Sequence, residues 1–134
     1  MRTAPIKITE RTLNDIKVFE LEGDLALENN ARFRTQFTAA LDAGTRKVIV
    51  NLAGVDYMDS SGLGELVSCY TALQKVSGRL TLLKLNERLQ RVLVITKLNT
   101  VFETFDSEPD AVASFSPLAM SESASGKSAA QASA

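Results

Sequence analysis

The segment VDYMDSSGLGEL, residues 55–66, sets an aspartate and two serines between an apolar run and two closely spaced glycines. Just before it, KVIVNL (47–52) is almost continuously apolar, as a strand covered on both faces should be. Just after it, Leu63, Leu66, Val67, Tyr70 and Leu73 recur at helical spacing. Glu65, Ser68, Thr71, Gln74 and Lys75 fall away from that face, and Ser77-Gly78 ends the segment. The corner Asp59-Ser60-Ser61 therefore lies where a buried strand ends and a helix begins. In α/β folds that is where functional groups collect.

The same pattern repeats outward from this corner. IKIT (6–9) and IKVFELE (16–22) are rich in β-branched and aromatic residues, with Asn14-Asp15 between them, which predicts a hairpin. Gly23-Asp24 is expected to break the second strand. Between Leu25 and Leu41, the residues Phe33, Phe37, Ala40 and Leu41 follow a helical period that Gly44 closes. RLTLLKL (79–85) reads as a strand. Asn86 then caps a helix carrying Leu89, Val92 and Leu93, expected to stop near Asn99. VFETF (101–105) reads as a last short strand, and Ser107 with Asp110 resembles a capping box. The order ββαβαβαβα implies one α/β domain over residues 1–115. Its sheet is mostly parallel, with an antiparallel edge hairpin and helices packed against it.

Residues 116–134 differ in kind: twelve of these nineteen are Ser or Ala and none is aromatic. Such a stretch buries too little surface to offset its ordering entropy, so a disordered Ser/Ala-rich tail is expected.

Composition narrows the chemistry. The 134 residues are 45% hydrophobic and 23% charged, and 15 basic residues against 16 acidic ones leave a net charge of -1. That balance carries no electrostatic footprint for nucleic acid. One cysteine, Cys69, allows no internal disulfide and suits a reducing, cytoplasmic setting. The amino terminus lacks the apolar stretch of a signal peptide, and no run approaches the length of a membrane span. Histidine is absent, which removes Ser-His-Asp and Cys-His catalysis together with His-based zinc sites. No cofactor, no metal and no enzymatic activity are expected.

Three chemistries compete at the corner. A phosphate-cradling loop needs GxxxxGK[ST] or GxGxxG, but only Gly62-Leu63-Gly64 is present and Val67 stands at the third glycine position. A nucleophile elbow needs GxSxG and a base, and the chain has neither. The third is an exposed serine that a kinase modifies. A phosphate at a helix N-terminus meets free N–H groups and the positive end of the dipole, so the fold tolerates it while a docked partner feels it. The plain alternative is that Asp59, Ser60 and Ser61 only cap the helix, and that Gly62 and Gly64 only let its first turn approach the sheet. Elsewhere, Cys69 reads as a buried inert thiol, Phe33 and Phe37 as core, and Arg88 and Arg91 as solvated residues of the third helix.

IVNLAGVDYMDSSGLGELV resembles the signature segment of the anti-sigma factor antagonists, bacterial proteins built on the STAS domain. LEGDL (21–25), RLTLLKLNERLQRVLVITKLNTVFETF and the final DAV follow in the same order, so the resemblance covers about residues 8–115. It implies a STAS domain whose phosphoacceptor is Ser60, the serine directly after Asp59, with Ser61 as the alternative acceptor and a cap role suiting Ser61 better. It implies a partner surface of Asp59, Ser60, Ser61 and Gly62, with Asp24 and Leu63 at its rim. The implied partners are an anti-sigma factor that is also a serine kinase and a PP2C-type phosphatase, with no nucleic acid and no membrane insertion. Family members often carry an acid two positions beyond Asp24; Ala26 stands there, which bears on partner identity, and its plain reading is a helix-start residue. An alternative within the same fold is a scaffold subunit of a membrane lipid-transport ABC complex.

Overall fold

The computed structural model describes residues 5–27 and 29–115, so the Ser/Ala-rich segment lies outside the described residues. Five strands form one sheet in the order β1-β2-β3-β4-β5, namely Lys7–Leu13, Ile16–Leu25, Lys47–Met58, Arg79–Leu83 and Glu103–Phe105. β1 and β2 pair antiparallel, and every other neighbour pair is parallel. Four helices complete the domain: α1 (Asn30–Asp42), α2 (Ser60–Lys75), α3 (Glu87–Ile95) and α4 (Glu108–Ala113). This is the expected ββαβαβαβα chain. Among the described residues, no helix is long and apolar enough to cross a membrane.

The sheet is covered on both sides, which explains the unbroken apolar run at its centre. Val48, Val50 and Leu52 of β3, with Phe19, Leu21, Leu80 and Leu82, face α1, α2 and α3. Ile49, with Ile16, Val18 and Leu83, faces α4 and packs on Ala111 and Phe115. Alternation along a strand sends successive side chains to opposite faces, and here both faces are dry. Phe33 and Phe37 are core as expected: the Phe33 ring meets Phe19 edge-on at 5.5 Å between centroids. Arg79 sits with its guanidinium 5.3 Å from the centroid of the Phe115 ring, fastening the end of the described chain to β4.

Several boundaries depart from the sequence reading. β2 continues through Gly23-Asp24 to Leu25 instead of breaking there. Gly23 adopts φ +112°, and an added Cβ would lie 2.2 Å from the Pro5 carbonyl oxygen, so the glycine permits continuation. Leu25 thus belongs to the strand, not to the helix.

β3 runs six residues past Leu52. Its register against β2 shifts twice, between Glu20 and Glu22 and between Gly23 and Leu25, each time with an extra residue on β3. These bulges move the buried positions from Leu52 to Val55 and then Met58, a spacing of three that hides the strand period. α3 stops at Ile95, because Lys97 is left-handed at φ +65° and a short 3-10 turn, Leu98–Thr100, follows. β1 is longer than IKIT, reaching Leu13, while β4 and β5 are shorter than predicted.

Candidate functional site

The parallel strands β2 and β3 end side by side, with Leu25 paired to Met58 as their last register step. The lengthened β3 delivers Asp59 to the end of β2, where its N–H donates to the Leu25 carbonyl at 3.3 Å. Asp59 is extended (φ −91°, ψ −176°), the conformation an N-cap needs, and α2 begins at the next residue.

Asp59 is the cap of α2. Its Oδ1 accepts from the Gly62 N–H at 2.8 Å, and its backbone carbonyl accepts from the Leu63 N–H at 3.0 Å. The same carboxylate reaches across the corner: Oδ2 accepts from the Leu27 N–H at 3.2 Å, tying the β2–α1 loop to the helix start. The expected cap role of Ser61 is therefore corrected. Capping requires the extended residue that precedes the helix, and Ser61 already lies inside it.

Gly62 is needed for packing. A Cβ there would sit 1.9 Å from the Leu25 carbonyl oxygen, so only a glycine lets the first turn of α2 lie against the end of β2. Gly64 is different. Among the described residues an added Cβ would meet nothing within 4 Å, and the residue is exposed. The expectation that both glycines serve close approach to the sheet holds for Gly62 alone.

Around this frame, Ser60 is exposed, while Asp59, Ser61 and Leu63 are half-buried and Gly62 is buried. Asp24, half-buried, lies one residue before the end of β2, and its carbonyl accepts from Asn29 Nδ2 at 2.7 Å. Ala26 is not a helix-start residue. It is 1% exposed in the β2–α1 turn, where its carbonyl accepts from the N–H groups of Asn29 and Asn30. The next residue, Leu27, is 72% exposed. Sequence reasoning missed Leu27, since an exposed leucine in a turn leaves no periodic signal.

The N-terminus of α3 comes to the same end of the sheet. Asn86 caps it through Oδ1, which accepts from the Leu89 N–H at 2.8 Å, and its Nδ2 donates to the Val55 carbonyl at 3.3 Å. Arg88 and Arg91 are exposed, as expected, along an open polar groove with Asp56 and Glu87. Glu65 departs from its predicted outward position. It is 5% exposed and paired with Arg34 of α1, which keeps that guanidinium protonated even more firmly than usual. Cys69 is buried, and burial pushes its thiol pKa far up.

The chain belongs to the STAS-domain family, whose model matches residues 7–111. Among the relatives it matches are proteins named anti-sigma factor antagonists. The anti-sigma-B factor antagonist of Staphylococcus aureus is 35% identical over 91 residues, 66% of this chain and 83% of that protein. TM1081 of Thermotoga maritima, solved by NMR, superposes with a TM-score of 0.71 at 26% identity, covering 77% of this chain and 83% of the other. The anti-sigma factor antagonist SpoIIAA shares the fold in two forms. Unphosphorylated, it gives a TM-score of 0.64 at 22% identity, covering 79% of this chain and 94% of its own. Phosphorylated, it gives 0.66 at 23%, covering 79% and 96%.

Proposed function

We propose that this protein is a non-enzymatic, cytoplasmic partner switch. In its unphosphorylated form it binds an anti-sigma factor that is also a serine kinase, and a sigma factor is thereby freed. The contact centres on Asp59, Ser60, Ser61 and Gly62, with Asp24 and Leu63 at its rim. The kinase transfers the γ-phosphoryl group of ATP-Mg to Ser60 Oγ, ADP leaves, and a base on the kinase takes the hydroxyl proton. The phosphorylated protein then releases its partner, and a PP2C-type phosphatase hydrolyses the phosphoserine to serine and inorganic phosphate.

The observation that carries this reading is the division of labour between Asp59 and Ser60. Asp59 supplies the cap, so the exposed Ser60 hydroxyl is not required to start the helix. A phosphate of about −1.5 to −2 charge placed there stands outside the core, at the favourable end of the α2 dipole and beside the Asp59 carboxylate. Opposed to a closely docked partner, such a charge weakens binding by about a hundredfold. The names of the relatives support the sigma-factor reading over a membrane-transport scaffold.

The test is a titration against the cognate anti-sigma kinase, with and without ATP, and intact-mass measurement of the product. Ser60→Ala is expected to bind with or without ATP and to gain no phosphoryl mass. Ser60→Asp, with one charge and fewer acceptor oxygens, weakens binding without abolishing it. Phosphorylation that persists in Ser60→Ala and is lost in Ser61→Ala moves the acceptor to Ser61. No effect of either substitution on phosphorylation or binding reduces the corner to a helix start.

A further inference from the structure

We infer that Leu27 and Gly64 set partner specificity on the two sides of Ser60, Leu27 as an apolar knob and Gly64 as a flat floor. The inference rests on the partner-switch reading and names what the kinase must offer: an apolar pocket beside the cleft that receives Ser60, and main chain that lies over the first turns of α2.

Leu27 is one of the two most exposed large apolar residues among the described ones, at 72%. It is also held in place. Its N–H donates to Asp59 Oδ2, and the buried Ala26 before it anchors the turn by accepting from Asn29 and Asn30. One carboxylate thus fixes the positions of both Leu27 and the helix that carries Ser60. A backbone already fixed in the free protein loses little freedom on binding, so the apolar side chain it carries suits an interface anchor. The surface is continuous with the Ser60 corner through Asp59, so a kinase engaging Ser60 meets Leu27 at the same time.

Gly64 marks the other side. It follows Ser60 by four residues, so the two share a helix face. Glycine inside a helix is destabilising relative to alanine, and none of the described residues occupies the space an alanine methyl would fill. The fold therefore gains nothing from Gly64, whereas a partner backbone passing over α2 gains closer approach.

The experiment measures binding of the full-length unphosphorylated protein to its cognate anti-sigma kinase for wild type, Leu27→Ala, Gly64→Ala and the control Val94→Ala/Ile95→Ala. The control removes equally apolar exposed residues at the opposite end of α3. Thermal melts accompany each titration. Leu27→Ala is expected to weaken binding about tenfold or more, the effect of withdrawing a buried leucine side chain, with an unchanged melting midpoint. Gly64→Ala is expected to weaken binding while raising the midpoint, a pairing that a merely structural role does not give. The control stays within about twofold of wild type. If wild type binds and Ser60 accepts phosphate, but Leu27→Ala and Gly64→Ala also bind within about twofold, this assignment falls and the switch stands. If wild type neither binds nor is phosphorylated, the switch reading falls and takes the assignment with it.

Discussion

Glu65 of α2 is buried against Arg34 of α1: one carboxylate oxygen accepts from Nε at 3.0 Å and from Nη2 at 2.6 Å. The pair is lopsided, since the Glu65 side chain is 4% exposed and that of Arg34 is 62% exposed. The carboxylate has left water and the guanidinium has not. Removing the arginine strands a buried acid, whereas removing both charges leaves only a neutral amide, which costs less to bury unpaired than a charge does. Arg34→Ala is therefore expected to lower the thermal midpoint more than the double variant Arg34→Ala/Glu65→Gln does. A double-mutant cycle read by chemical denaturation checks it, and equal or greater loss in the double variant contradicts it.

Gly62 offers a steric test of the corner. Its added Cβ would collide with the Leu25 carbonyl, a backbone group flanked by sheet hydrogen bonds that cannot swing aside. Gly62→Ala is expected to cost about 1–3 kcal/mol or more, the usual range for overpacking. It should also displace the α2 N-terminus, so the phosphorylation proposed for Ser60 is expected to slow as well. Circular dichroism melts and kinase assays on the same preparation read both effects. A stability within error of wild type would mean that the first turn of α2 is not seated on β2.

Cys69 links burial to pH. Its folded pKa is raised, first by desolvation and then by the charge of Glu65, with Arg34 opposing. A raised folded pKa leaves stability whole below the unfolded thiol's value of about 8.5, and stability falls as pH rises above it, because only the unfolded chain then ionises. Wild type is expected to lose stability between about pH 8 and 10 more steeply than Cys69→Ala does, even though Cys69→Ala begins lower from its cavity. Denaturant titrations across that window decide it, and parallel curves would refute it. A thiol reagent should label the native protein no faster than it unfolds.

How far the sequence is readable varies with the kind of force at work. KVIVNL announces a doubly covered strand because both apolar layers act on consecutive residues, Ile49 toward α4 and Val50 toward the helices of the other face. The six residues beyond it are hidden, since two bulges shift Val55 and Met58 out of the alternating period that identifies a strand. Glu65 reads as an outer-face residue because it falls off the apolar stripe of α2, and only the third dimension brings Arg34 from α1 to meet it. α3 reads as longer because no glycine or proline interrupts the stretch before Asn99, while the left-handed backbone at Lys97 leaves no mark in composition. At the corner, the residue types are legible but their roles are not. Asp, Ser and Ser are all good caps. The extended backbone at Asp59 decides which one serves.

That double role of Asp59 makes separable predictions for its two oxygens. An asparagine side chain at this position has one acceptor oxygen instead of two, and asparagine is as good an N-cap as aspartate. Asp59→Asn is therefore expected to keep the bond from Gly62 and to lose the one from Leu27, at a stability cost below about 1 kcal/mol. Asp59→Ala loses both and is expected to cost about 1–2 kcal/mol. Amide hydrogen exchange distinguishes the two variants residue by residue. The Leu27 amide, bonded to Oδ2 in wild type, should exchange faster in both. The Gly62 amide, bonded to Oδ1, should exchange faster only in Asp59→Ala. Should Leu27 exchange at the wild-type rate in Asp59→Ala, the carboxylate does not hold the loop, and the β2–α1 turn is ordered by Ala26 and its neighbours alone.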